Sequence, residues 1–147
     1  MHENFFVYQR RALRPLLAWG IGSSLLGTAL LPFRGAARHF GIQAVAWGVI
    51  DVLLAMAGRW RALLRAEALA AHQLDEAVAA REAEQFERIL RFNAGLDLLY
   101  IAAGLVTALR FASRPDRRGL GAGIAVQGVF LLLFDLLLAR EVEQKYL

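Results

Sequence analysis

The chain alternates between long apolar runs and charged stretches. Its last apolar run, Gly121–Ala139 (GAGIAVQGVFLLLFDLLLA), carries Gln127 and, eight residues on, Asp135. An earlier run, Gly41–Ala57 (GIQAVAWGVIDVLLAMA), carries Gln43 and Asp51 at the same spacing. A third extends from Leu16 to about Leu31, is uncharged, and is bracketed by Pro15 and Pro32. The fourth spans about Asn93 to Leu109 (NAGLDLLYIAAGLVTAL). A helix needs ~20 apolar residues, with about 17 at the lower edge, to cross bilayer hydrocarbon. The pattern predicts an all-α polytopic membrane protein, a single domain built as a four-transmembrane-helix bundle, with spans at about 16–31, 40–57, 93–109 and 121–139. The shared Gln/Asp spacing predicts two related helical hairpins, spans 1–2 and 3–4, as in the parallel repeats of some transporters.

The intervening stretches fit this frame. Residues 58–91 are rich in Ala, Glu and Arg and contain no Gly or Pro after Gly58, so nothing there breaks a helix. The spacing predicts that span 2 continues to about residue 71 and turns near His72–Asp75. A second helix, capped by Asp75, then leads into span 3, making a protruding cytoplasmic hairpin. Phe5, Phe6 and Tyr8 lie beside Arg10, Arg11 and Arg14, which predicts an anchor in the headgroup layer. An Arg pair ahead of an apolar run also opens a twin-arginine export signal, but the further spans downstream favour a retained segment. Arg140–Leu147 reads as a charged tail. In span 1, Gly20, Ser23, Ser24 and Gly27 give small-xxx-small spacing, which lets helix backbones approach closely in lipid.

Composition agrees with the pattern. Hydrophobic residues make up 58% of the 147, against ~45–50% in a soluble domain, and the mean hydropathy is +0.43. The absence of cysteine excludes disulfides, thiolate metal ligation and thiol catalysis. A net charge of +4 and a pI of about 10.3 would raise nucleic acid as a partner for a soluble chain. Here the seventeen Lys and Arg residues flank the apolar runs, as orientation in an anionic membrane requires, so no nucleic-acid partner is expected. Eleven of them fall on the side of the two termini and the hairpin, and six on the other. The positive-inside bias therefore predicts cytoplasmic termini.

The candidate chemistry lies inside the spans. Asn93, Asp97, Tyr100, Gly104 and Thr107 recur at helical spacing and form one polar stripe on span 3. Counting from the cytoplasmic ends brings Asp51, Asp97 and Asp135 within roughly one turn of a common level. Gln43 and Gln127 share a level nearer the outside. An acid facing lipid at mid-span costs roughly 2.5–3.5 kcal/mol, so the three should face inward. The expected intramembrane cluster is Asp51, Asn93, Asp97, Tyr100 and Asp135, with Gln43 and Gln127 as an outer polar layer. Shared protons or polar neighbours would be needed to hold the acids together. GLGAG after Arg117 and Arg118 lacks the Lys and Ser/Thr of a nucleotide loop. It predicts close backbone approach at a helix start, with lipid-headgroup binding by Arg117, Arg118, Gly119 and Gly121 as the second possibility. No span contains a histidine to activate Ser23 or Ser24, and His2, His39 and His72 all lie outside the apolar runs, which argues against haem. No cofactor and no metal site are expected.

Two stretches, ILRFNAGLDLLYIAAG and RGLGAGIAVQGVFLLLFD, resemble a family of uncharacterised small bacterial four-span integral membrane proteins. That family shows N-x-G-L-D-x-x-Y in its third span and G-x-G-x-x-I-x-x-Q-G-x-F-L-L-x-F-D in its fourth. Asn93, Gly95, Leu96, Asp97 and Tyr100 match the first, and Gln127, Gly128, Phe130 and Asp135 the second. In the second span Trp47 fits, while Gln43, Gly48 and Asp51 stand where the family favours Asn. The resemblance implies the four-span topology and a bacterial plasma membrane location; it brings no activity. Two functional expectations follow from the residues. The first is a non-enzymatic accessory or scaffold protein that packs in membrane lipid against a membrane partner or against itself as a homo-oligomer. The alternative is a small proton- or cation-coupled transporter working through the acidic cluster. A pocket for a polar-headed lipid or quinone-like ligand is a third use of the same residues.

Overall fold

Prolines and a glycine stand at several of the helix boundaries. The computed structural model describes residues 3–147, which form five helices and no strand. The first, α1, covers Phe5–Ala12, and Asn4 caps it by accepting a hydrogen bond from the Phe6 backbone N–H at 2.8 Å. After a break at Leu13, α2 runs over Arg14–Leu30 with Pro15 in its first turn, where the missing N–H costs nothing. Pro32 follows its exit, and Gly35, at a φ of 68°, turns the chain into α3, Ala36–Ala70. The chain reverses through residues 71–75, with His72 at a φ of 56°, into α4, Glu76–Arg110. Pro115 opens α5, which runs to Tyr146.

Three helices, α3, α4 and α5, are long and apolar enough to cross a membrane. At 1.5 Å per residue, the 35 residues of α3 reach about 52 Å, well beyond a ~30 Å hydrocarbon layer. The remaining apolar run, from Leu16, lies in the 17-residue α2, which pairs with α3 along its length. A second pair, α4 with α5, packs against the first chiefly through α3 and α5. Glycines set both pairings. Gly48 of α3 lies so close to α2 that an added Cβ would stand 2.6 Å from the Gly20 carbonyl oxygen. At Gly104 of α4 it would stand 2.6 Å from the Gly121 carbonyl oxygen and the Ala125 nitrogen of α5. Close backbone approach of this kind maximises dispersion contact where lipid removes the hydrophobic driving force.

Although α3 and α4 are consecutive, their backbones stand apart and they meet through side chains. At the hairpin end the gap between them is filled by α1. Phe5, Phe6 and Tyr8 are buried there against Ala79, Ala83 and Leu90 of α4 and Leu138, Ala139 and Val142 of α5, with Ala66 and Leu69 of α3 beside them. This corrects the reading of the N-terminal rings as a headgroup anchor. The long helices leave an apolar groove where they run on past the apolar spans, and the rings gain more by filling it than by lying at an interface. It also corrects the reading of Arg140–Leu147 as a tail. That stretch is the last two turns of α5, with Val142 fully buried and Tyr146 ringed against Phe5 and Tyr8 at 5.4 and 5.2 Å.

Candidate functional site

Interior polar groups concentrate where the two helix pairs meet. Asp51, Asp97, Gln127 and Asp135 are all buried, at 1, 3, 4 and 6% exposure. The helical period accounts for this. Two residues beyond each acid, and so on the opposite face, stand Leu53, Leu99 and Leu137, at 62, 64 and 66% exposure. The three acids therefore point inward from α3, α4 and α5, while leucines at the same heights form the perimeter.

The hydrogen bonds are unequal. Gln127 of α5 donates through Nε2 to Asp51 Oδ2 of α3, and its Oε1 accepts from Trp19 Nε1 of α2 at 2.9 Å. One amide thus ties three helices. The Trp19 ring is fixed further by stacking on Phe130, with centroids 4.2 Å apart and planes 5° from parallel. Asp97 and Asp135 line the same cleft close enough to interact electrostatically, and as two carboxylates they make no hydrogen bond to each other. Asp97 Oδ2 is fully buried and has no donor within reach.

These groups line a cleft of about 210 Å³ between α3 and α4. Asp51, Asp97, Asp135 and Asn93 supply its polar wall, and Leu54, Leu96, Trp47 and Tyr100 its apolar part. Leu16 of α2 and Phe134 of α5 close the back. The Trp47 and Tyr100 rings meet edge to face at 5.4 Å. Asp51, Asn93, Asp97, Tyr100 and Asp135 are therefore brought to one cavity, although Asn93 and Tyr100 make no side-chain hydrogen bond to the acids.

Other expected sites fall differently. Gln43 and Gln127 are held by different neighbours. The side chain of Gln43 lies against Gly123 of α5, whereas Gln127 is bonded to Asp51 and Trp19. The residues of the expected headgroup site, Arg117, Arg118, Gly119 and Gly121, all lie in the first two turns of α5. Because α5 starts at Pro115, the glycines lie inside the helix, Gly119 against the Ala36 backbone and Gly121 against Gly104 and Ala108. Arg117 stacks on the Phe111 ring at 4.4 Å, and Arg118 reaches back to the Ala112 carbonyl at 3.5 Å. His39 Nδ1 lies 2.9 Å from the Gly35 carbonyl oxygen, His72 occupies the α3–α4 turn, and His2 lies outside the described residues. Among the described residues, no three His, Asp or Glu side chains converge to hold a metal ion.

Around α1 lies a second polar network that sequence reasoning missed. Tyr8 Oη donates to Glu141 Oε2 at 2.8 Å, and Lys145 Nζ donates to Glu141 Oε1 at 2.6 Å. Lys145 and Tyr8 hold the Glu141 carboxyl below the usual carboxylate range, while burial and the facing carboxylate push the Tyr8 phenol up. On the next face, Arg91 bridges Glu87 of its own helix and Glu143 of α5, the latter at 2.8 Å. The i, i+4 spacings of Glu141 with Lys145 and of Glu87 with Arg91 are the sequence signals that could have marked this network.

The chain matches the model of a family described as "Family of unknown function (DUF6992)" over residues 15–136. No curated protein and no solved structure matches it.

Proposed function

We propose, for a chain that belongs to this family of unknown function, that it is a four-span integral protein of a bacterial plasma membrane with both termini cytoplasmic. In this reading α2 is the first span, and α3, α4 and α5 are the others. It works without catalysis, as an accessory or scaffold subunit that packs against a membrane partner or against itself. The observation that carries the reading is the inside-out polarity at the height of the acids. The acids face inward there, and Leu53, Leu99 and Leu137 face outward. Such a surface is costly in water and favourable in hydrocarbon. The helix ends beyond the apolar spans, wedged by α1, form a rigid charged head suited to contact a partner. Arg61 and Arg65, both paired to Glu82, lie on its surface.

The test is fractionation followed by mass measurement. The protein should stay with membranes through alkaline carbonate and leave them only with detergent. In mild detergent it should run with a fixed partner or as a fixed multimer. Recovery in the soluble fraction would contradict the membrane assignment, and a lone monomer with no co-purifying protein would contradict the scaffold role.

One observation favours the second reading, a small proton- or cation-coupled transporter. Asp97 Oδ2, buried and without a donor, borders a cleft that contains two more acids. Intramembrane acids with this exposure to a cavity line ion and proton paths in other proteins. Proteoliposomes loaded with a pH dye distinguish the two: a carrier dissipates an imposed gradient, and an Asp97→Asn variant does not.

A further inference from the structure

We propose that the cleft between α3 and α4 is a lateral binding site for the primary ammonium head of a membrane amphiphile, received by Asp97 and Asp135 beside the Trp47–Tyr100 pair. The proposal rests on the membrane reading above and holds for either role there. It starts from Asp97, which is 3% exposed, lines the cavity and has an Oδ2 with no donor. Asp135 faces it and Asp51 lies on the same wall, while no Lys or Arg lines the cleft. The nearest cation of α4, Arg91, is committed to Glu87 and Glu143. The cleft therefore offers three carboxyl groups and no cationic side chain.

Three features select the ligand. First, Asp97 and Asp135 lie together while Asp51 is held by Gln127, and among the described residues no three acids make a metal-ligand set. An alkylammonium carries three directed N–H donors and can serve both carboxyls. Second, Trp47 and Tyr100 present aromatic surface beside the acids. Ring faces attract an ammonium, and a ring pair next to carboxylates is the pattern that recognises amines. Third, the cavity opens between two helices whose rim residues include Leu54 at 60% exposure. In a membrane that mouth faces hydrocarbon, so a ligand whose chain already lies in lipid enters without crossing water. About 210 Å³ is far above the ~10–15 Å³ that one water requires. It suits a small head group and leaves the chains outside.

An ethanolamine phospholipid and a single-chain alkylamine present the same head, and the experiment separates them. Purified protein is washed free of lipid in detergent. It is then mixed with phosphatidylethanolamine, phosphatidylcholine or dodecylamine, and bound adducts are read by native mass spectrometry. Wild type should retain phosphatidylethanolamine, dodecylamine or both at least tenfold over phosphatidylcholine, whose quaternary head has no N–H donor. Retention of dodecylamine alone assigns the free amine as the source, and retention of phosphatidylethanolamine assigns the lipid. Asp97→Asn should lose the preference. If that variant does not fold, the wild-type tryptophan emission serves instead. It should shift with the primary amine, not with the choline lipid, and not in Trp47→Phe. Equal retention of ethanolamine and choline lipids, or an unchanged preference in Asp97→Asn, would overturn the site. Failure of the membrane reading is distinguishable, because it appears in fractionation before any lipid is added.

Discussion

Two glycines of α4 stand in opposite surroundings. Gly95 has nothing within 4 Å of where a Cβ would go, whereas at Gly104 a Cβ would meet the Gly121 carbonyl oxygen and the Ala125 nitrogen at 2.6 Å and Ala125 Cα at 3.0 Å. Both are helix-interior positions, so alanine relieves the same backbone entropy at each, about 0.5–1 kcal/mol. At Gly95 nothing opposes that gain, and Gly95→Ala should stabilise by about that amount. At Gly104 the clash is with backbone, which cannot rotate away. Ordinary carbon contacts need about 3.5–4.0 Å, so α4 and α5 must separate by roughly 1 Å. Overpacking costs about 1–3 kcal/mol, and a backbone-only neighbourhood places this case at the upper end. After the propensity gain is subtracted, Gly104→Ala should be destabilised by about 1–2 kcal/mol. Both variants are to be unfolded beside wild type in mixed micelles of increasing SDS fraction, followed by circular dichroism. Opposite signs are expected. A Gly104→Ala protein as stable as Gly95→Ala would refute the close α4–α5 packing.

Other perturbations test separate parts of the structure. Gln127→Leu removes the bonds to Trp19 and Asp51 together. With about 1–3 kcal/mol lost per stranded buried group, its thermal midpoint should fall well below that of Gln43→Leu, which breaks no side-chain hydrogen bond. Phe6→Ala should cost about 3–5 kcal/mol, because the ring is fully buried where α1 closes the gap between the helices. Limited proteolysis should then cut near the His72–Asp75 turn sooner than in wild type. Glu141 makes the docking of α1 acid-sensitive. Its carboxyl titrates lower in the folded protein than free glutamate, at ~4.3. Its contribution is therefore complete above that pH and lost as pH falls through the lower folded value. Proteolysis of the α1 segment should rise at acid pH in wild type, and Glu141→Gln should flatten that rise.

Much of this architecture was legible in the sequence, because breakers and periodicity act locally. Pro15 and Pro32 stand at a helix start and a helix exit, and the absence of Gly and Pro after Gly58 allowed α3 and α4 to be read through their charged halves, whereas the start of α5 at Pro115 lies ahead of the glycines read as its opening. The inward turn of Asp51, Asp97 and Asp135 followed from the cost of an acid in hydrocarbon. Two features were not legible because they depend on how helices meet. Rings beside arginines look the same whether they face headgroups or a groove, and only the gap between α3 and α4 shows where Phe5, Phe6 and Tyr8 go. The Gln127–Asp51 bond depends on how α5 seats on α3, where Gly119 and Gly123 let the chains close on Ala36 and Gln43. Equal Gln/Asp spacing within each run does not encode that pairing.

The central claim is that carboxyl groups of α3, α4 and α5 face one another inside a bundle whose perimeter at the same height lies in hydrocarbon. The native chain has no cysteine, so single nitroxide labels can be placed at Leu53, Leu99, Leu137 and Ala94 in lipid vesicles. Power saturation should show strong collision with oxygen and little with a water-soluble nickel complex at the three leucines, and weak collision with both at Ala94. Nickel access at the leucines, or oxygen access at Ala94 equal to theirs, would contradict the account.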